Sequence, residues 1–242
     1  MRVRILQHVP FEGPASIARW AEARGVTLET THLYRNDALP DPAAFDALIV
    51  LGGPMGVHDE AEYPWMGPEK TLLRRTLEAD RPVLGVCLGA QFLADVMGAA
   101  VHGAPHREIG WYPVSFTDEA LALPGFADFP SELEVMHWHG DTFEVPQGCV
   151  PVGASAGCAN QGFVHSRRPI AGFQFHMEWD RETAAALTEN CVDDLAPGPF
   201  TQSTDAILVS EDRFEAMNTW MFRFLDNWLL ARSRADATAS AS

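Results

Sequence analysis

The chain has 242 residues, 47% apolar and 21% charged, ordinary values for a soluble globular protein long enough to bury about 70–75% of its unfolded surface. Seventeen Lys and Arg against 33 Asp and Glu give a net charge of −16, which opposes non-specific binding to nucleic acid and to anionic lipid. No apolar run approaches the roughly 20 residues of a membrane span, and the four cysteines (Cys87, Cys149, Cys158, Cys191) form no C-x-x-C pair, so neither a zinc knuckle nor a disulfide framework is expected.

The opening MRVRILQHVPFEGP has too short an apolar stretch for a signal peptide and reads as a first strand, so a cytoplasmic location is expected. Through the first hundred residues, β-branched runs alternate with helical patterns. Strands are expected at VRILQHV, VTLETTHL, FDALIVLGG and PVLGVC, and helices over residues 15–24, 68–79 and 88–97. From residue 100 to 176 come shorter runs, GWYPVSF, ELEVMHWHGDTFEVP, NQGFVHS and IAGFQFH, read as a continuation of the sheet with an antiparallel excursion. Helices are then expected over 181–190 and 203–230. The second of these carries Phe214, Met217, Met221, Phe224, Leu225 and Trp228 at spacings of three and four, a stripe that reads as core packing, with a dimer face as the alternative. The expected fold is α/β: a flavodoxin-like three-layer sandwich with a mostly parallel central sheet, helices on both faces and an antiparallel excursion. The expected organisation is one domain over 1–180, a helical extension over 181–232 packed on it, and a disordered tail over 233–242.

In LGVCLGAQ, a strand ends at Cys87 and a helix begins, with Gly85 and Gly89 two residues to either side. This is the strand-turn-helix setting of a nucleophile elbow, in which a tight turn lifts the sulfur clear of the sheet and larger flanking side chains would collide. The thiol then sits at a helix N-terminus, whose dipole favours the thiolate. The other three cysteines lack such a setting and are assigned to packing. A thiolate attacking an acyl carbon needs a general base, commonly a histidine held by a third group. IAGFQFHMEW offers His176 with Glu178 two residues on, and on a strand such positions share a face. His8, His32, His58, His102, His106 and His165 read as structural or exposed. His137 and His139 also share a face, but the sequence shows no convergent third ligand and no metal site is expected. LGGPMG ends another strand, where Gly53 could present its N–H to an oxyanion together with the N–H of Leu88.

Three motifs, LGGPMG, LGVCLGAQ and GFQFHMEW, occur in the order and approximate spacing of the class I glutamine amidotransferase domain. Over about its first 180 residues the chain resembles that family, particularly free-standing relatives of the GMP synthase amidotransferase domain. The resemblance implies a catalytic triad of Cys87, His176 and Glu178 and an oxyanion hole from Gly53 and Leu88. It implies glutamine contacts from Gln91, and from Trp138, His139, Gly140 and Asp141 in the stretch matching the S-H-G-D of GMP synthases. Two positions depart from the family pattern: Trp138 replaces the serine, and Met177 the usual proline between His and Glu.

The activity implied is hydrolysis of the glutamine side-chain amide through a cysteine thioester, with no metal or organic cofactor. The residues after Trp179 carry no P-loop, so ammonia is expected to serve a separate acceptor or synthase subunit, with no nucleic acid or membrane partner. Trp138 motivates one alternative, a γ-glutamyl peptidase or hydrolase acting on γ-glutamyl peptides or conjugates. A second is a catalytically silent binding protein on the same fold.

Overall fold

The computed structural model describes residues 1–231; the tail expected over 233–242 lies outside the described residues. In chain order the first half comprises β1 (Arg2–Gln7), α1 (Ser16–Arg24), β2 (Thr27–His32), β3 (Ala47–Val50), α2 (Met66–Glu78), β4 (Val83–Val86), α3 (Leu88–Val96) and β5 (Val101–Phe116). The second half comprises α4 (Asp118–Leu121), β6 (Glu132–Phe143), β7 (Cys149–Pro151), β8 (Gly153–Ala154), β9 (Gly162–His165), β10 (Ile170–Phe173), α5 (Arg181–Asn190), α6 (Thr204–Ile207) and α7 (Glu211–Leu225).

Seven strands form the central sheet in the order β2-β1-β3-β4-β10-β9-β7. The first five are parallel, in a doubly wound order, and β9 and β7 add an antiparallel edge. Side-chain alternation along the strands builds two cores. Ile5, Ile49 and Leu84 face α1 and α7 with Ile17, Trp20 and Met221, while Leu6, Leu48 and Val83 face α2 and α3 with Leu73, Phe92 and Leu93. Every residue of β3, β4 and β10 is buried, as a parallel sheet covered on both faces requires. No described helix is long and apolar enough to cross a membrane.

Two sequence expectations are corrected. The runs 110–116 and 132–143 do not continue the central sheet: β5, extended to 16 residues, pairs with β6 and β8 in a separate three-stranded antiparallel sheet. Apolar alternation specifies a strand and its faces, not its partner, and here it could not choose between the sheets. The helix expected over 203–230 is interrupted: α6 ends at Ile207 and α7 starts at Glu211, after Ser210 in extended conformation. Glu211 and Asp212 then meet the positive end of the new helix dipole, a start signal that the apolar spacing alone obscured.

The stripe on α7 is buried within the chain, where Phe224 packs edge-on against Phe173 at 4.8 Å and against Phe126 at 5.3 Å. Buried Asn218 on the same helix donates through Nδ2 to the carbonyls of Met177 (2.8 Å) and Trp179 (2.9 Å), and its Oδ1 accepts from Arg19 at 2.6 Å. α7 thereby holds the segment that carries Glu178. Asn218→Ala leaves two buried carbonyls and a guanidinium without their partner and is expected to cost about 2–4 kcal/mol, read as a lowered urea midpoint at unchanged slope.

Candidate active site

Strand β4 runs into Cys87, which has φ 52° and ψ −110°, and α3 begins at the next residue. A non-glycine residue at this φ is strained and persists only where its surroundings fix it. Here the Cys87 N–H donates to the Phe173 carbonyl at 2.7 Å, tying the turn to the end of β10. The flanking glycines are sterically required: a Cβ on Gly85 would lie 2.6 Å from the Ala90 nitrogen, and one on Gly89 would lie 2.7 Å from the Val50 carbonyl carbon. The elbow therefore presses α3 against β3 and β4 and leaves the sulfur at the carboxyl ends of the strands.

Cys87 lines a cavity of about 280 Å³ together with His176. The thiol donates to the Trp138 carbonyl at 3.7 Å, and Sγ accepts from Gln174 Nε2 at 3.6 Å. His176 does not sit on a strand as the sequence suggested. β10 stops at Phe173, the chain bends, and His176 makes an isolated antiparallel bridge with Met136, its N–H donating to the Met136 carbonyl at 2.8 Å. The bend still brings His176 to Glu178, whose Oε1 accepts from Nδ1 at 2.6 Å, while Oε2 accepts from the Met177 N–H at 3.1 Å. Trp179 stacks on the imidazole with 3.8 Å between centroids. With Nδ1 donating to Glu178, Nε2 is buried, without a hydrogen-bond partner, and free for chemistry. Burial alone would lower the pKa of His176, but the Glu178 carboxylate and the Cys87 sulfur outweigh it and lift the ring to about 10.

The glycine loop after β3 faces the same cavity. A Cβ on Gly53 would lie 3.1 Å from His8 Cβ and 3.2 Å from Leu88 Cδ2, which puts the loop against the first turn of α3. The Leu88 N–H has no acceptor within its helix. Below the loop, buried His8 meets the Gly52 carbonyl through Nδ1 at 2.9 Å and Glu69 Oε1 through Nε2 at 3.0 Å. Both partners accept, so both ring nitrogens donate. Burial disfavours that charged ring, and Glu69 outweighs it and raises the pKa.

At the rim, Gln91, Trp138, His139, Gly140 and Asp141 all line the cavity. Gln91 points its amide at Gln174 Oε1 (3.2 Å), so it also supports the residue beside the sulfur. The Trp138 indole donates to Asp194 Oδ2 at 3.0 Å, and Asp194 pairs with Arg107 at 3.1 Å.

The sequence model of the family Glutamine amidotransferase class-I matches residues 15–195. The chain belongs to the class I glutamine amidotransferase family. It is 35% identical to the glutamine amidotransferase-like protein YfeJ of Salmonella typhimurium over 241 residues, 97% of this chain and 100% of the relative. The GMP synthase (glutamine-hydrolyzing) of Phenylobacterium zucineum is 34% identical over 172 residues, which are 71% of this chain but only 32% of that enzyme. A solved structure of a glutamine amidotransferase from Thermotoga maritima aligns with a TM-score of 0.84 at 30% identity, covering 93% of this chain and 96% of that one.

Within this amidotransferase fold, several groups at the cavity have no signal in the sequence. Glu12 arrives from the loop after β1, Arg107 from β5, and Asp194 and Cys191 from the C-terminal segment, with Cys191, read as packing, lining the cavity half-buried, while Gln174 reaches the sulfur from the bend after β10. Glu12 is buried beside the reacting groups. Burial pushes its carboxyl up to about 7, helped by the Glu178 charge and opposed by His176 and His8. A folded-state value above the ordinary 4.5 means that the folded chain binds more protons than the unfolded one between those pH values. The contribution is fully present below 4.5 and is lost as pH rises through 7. Glu12→Gln is expected to flatten this fall, which amounts to about 3 kcal/mol, in urea unfolding measured from pH 5 to pH 8. A wild-type profile as flat as the variant's contradicts the assignment.

The expectation that His137 and His139 lack a third convergent group is also corrected. Glu108, carried on the other strand of the β5–β6 pair, places Oε2 3.2 Å from His139 Nε2 and 3.9 Å from His137 Nδ1. The sequence signal was a lone acid in the strand-like run REIGWYPV, with nothing local to say which residues it faces.

Proposed function

We propose that the chain hydrolyses the side-chain amide of glutamine through a thioester on Cys87 and releases ammonia to an acceptor enzyme outside residues 1–231. The observation that carries this reading is the strained Cys87 turn, which opens its sulfur into the same cavity as an imidazole held by Glu178 with Nε2 free.

Cys87 passes its thiol proton to His176 Nε2 and the resulting thiolate attacks the amide carbon, and the negative charge that develops on the carbonyl oxygen is received by the N–H groups of Gly53 and Leu88. His176 Nε2–H gives its proton to the departing nitrogen, so ammonia leaves and a γ-glutamyl thioester remains. The deprotonated Nε2 then takes a proton from water, whose hydroxide attacks the thioester carbon. The C–S bond breaks, glutamate leaves, and the sulfur and His176 return to their starting states. Glu178 keeps Nδ1 protonated and Nε2 aimed throughout. At the rim, Arg107 offers a cation for the substrate's α-carboxylate, and Asp141 and Asp194 offer anions for its α-ammonium.

One observation favours a second reading. Trp138, standing where GMP synthases carry serine, forms an aromatic wall of the cavity that suits the amine substituent of a γ-glutamyl peptide. The test incubates the purified chain with glutamine and separately with γ-glutamyl peptides, following ammonia, glutamate and released amine, together with labelling of Cys87 by an electrophilic glutamine analogue. Equal ammonia and glutamate from glutamine support the proposal. Amine from peptides, with no ammonia from glutamine, replaces it by the γ-glutamyl hydrolase. Silence in turnover and in labelling leaves a binding protein, whereas an enzyme awaiting its partner still labels.

A further inference from the structure

On β6, His137 and His139 project to the same side, and Glu108 is paired directly opposite His139 on β5, next to the register shift that separates Gly103 from Glu108. All three side chains are buried, and their ligand atoms lie within 4.8 Å of one another. The hydrogen bonds around them fix the tautomers. His137 Nε2 lies 3.2 Å from the Tyr112 carbonyl and His139 Nδ1 lies 2.9 Å from the Asp141 carbonyl, and since a carbonyl only accepts, each of these nitrogens carries a proton. The lone pair of a neutral His137 is therefore on Nδ1, which is buried without a hydrogen-bond partner and faces a carboxylate oxygen at 3.9 Å. A proton on His139 Nε2 would satisfy its own 3.2 Å approach to Glu108, but it would leave His137 unpartnered. A cation between the three atoms satisfies both rings and the carboxylate.

We propose that Glu108, His137 and His139 form a buried site for one divalent transition-metal ion, with Zn²⁺ the best match. Two imidazole nitrogens and a carboxylate oxygen are a zinc ligand set, and ligand distances near 2.1 Å in a tetrahedron set neighbouring ligands roughly 3.4 Å apart. The separations of 3.2 and 3.9 Å bracket that value, so closure needs only small side-chain shifts. The carbonyl partners of Nε2 in His137 and Nδ1 in His139 are the outer-shell contacts that hold a metal-binding imidazole in orientation. Gln161 adds a further polar group: its Nε2 donates to Glu108 Oε2 at 2.6 Å, while its Oε1 is buried without a partner. Reversing that amide turns an oxygen toward the ion, and water or Ser155, already 2.6 Å from Glu108 Oε1, can complete the shell. The site lies on the strand whose Trp138, His139 and Gly140 form one wall of the catalytic cavity, so the ion would brace that wall.

The experiment strips the full chain with a chelator and titrates it with ZnCl₂ and, separately, CoCl₂. The expected result is one equivalent bound per chain, a raised melting temperature, and Co²⁺ ligand-field bands without a thiolate charge-transfer band, because no cysteine belongs to the site. His137→Gln and Glu108→Gln are each expected to weaken Zn²⁺ binding at least about 100-fold. Absence of stoichiometric binding overturns the proposal, as does a thiolate band or equal affinity in the variants. Should the variants fail to fold, stoichiometry and the Co²⁺ spectrum of the wild-type chain decide alone.

Discussion

Replacing Cys87 with serine is expected to lower ammonia release from glutamine by at least about 10⁴-fold, the scale seen when a triad nucleophile is lost. Serine is the sharper substitution because it preserves the turn: it has the same branching, keeps the main-chain N–H bond to Phe173, and can still donate to the Trp138 carbonyl. What it loses is the ease with which sulfur ionises beside an imidazole. The urea midpoint of the variant should stay within about 1 kcal/mol of wild type, since an oxygen replaces a sulfur in a wall already facing the cavity. Steady-state kinetics and an unfolding curve on the same preparation separate the two effects. A residual rate within tenfold of wild type removes Cys87 from the reaction and with it the thioester route.

The parts of this site that the sequence made legible are those where local covalent geometry does the placing. The Gly85-x-Cys87-x-Gly89 spacing at the switch from an apolar run to a helical pattern marks the turn locally, and the parallel strands announce themselves as buried β-branched runs. His176 and Glu178 were identified for a reason that the structure replaces: they meet across a bend past the end of β10, not on a strand, and the two-residue spacing happens to serve both geometries. Residues that reach the cavity through tertiary packing left no comparable trace. Glu12 sits in a loop after β1, and Asp194 lies in the C-terminal segment, yet both line the wall around the sulfur. Glu108 was invisible for a related reason: its meeting with His137 and His139 depends on which strand β5 pairs with and in which register, and alternation along one strand carries neither. Asn218 is the extreme case, a polar residue inside an apolar stripe whose partners are carbonyls some 40 residues earlier in the chain.

The second large effect concerns the glycine behind the nucleophile. Gly89→Ala is expected to abolish soluble expression or to cost upwards of about 3 kcal/mol, the high end for inserting a methyl group into a packed interior. The added Cβ would overlap the Val50 carbonyl oxygen and lie 2.7 Å from its carbon and 2.9 Å from Val50 Cβ, all atoms of a central strand paired on both sides. Helix α3 cannot retreat along that direction without dragging Cys87, because the residue before its first turn is tied to Phe173 and its own backbone fills the space beside Gly85. Neither the strand nor the helix can yield, so the strain is borne by the elbow itself. Gly67 is the matched control: it lies in the first turn of α2, a Cβ there meets nothing within 4 Å, and Gly67→Ala is expected to be neutral or stabilising by up to about 1 kcal/mol. Urea unfolding of both variants tests the pair. Similar midpoints for the two would show that α3 has room to move, and the steric account of the Cys87 turn would then fail.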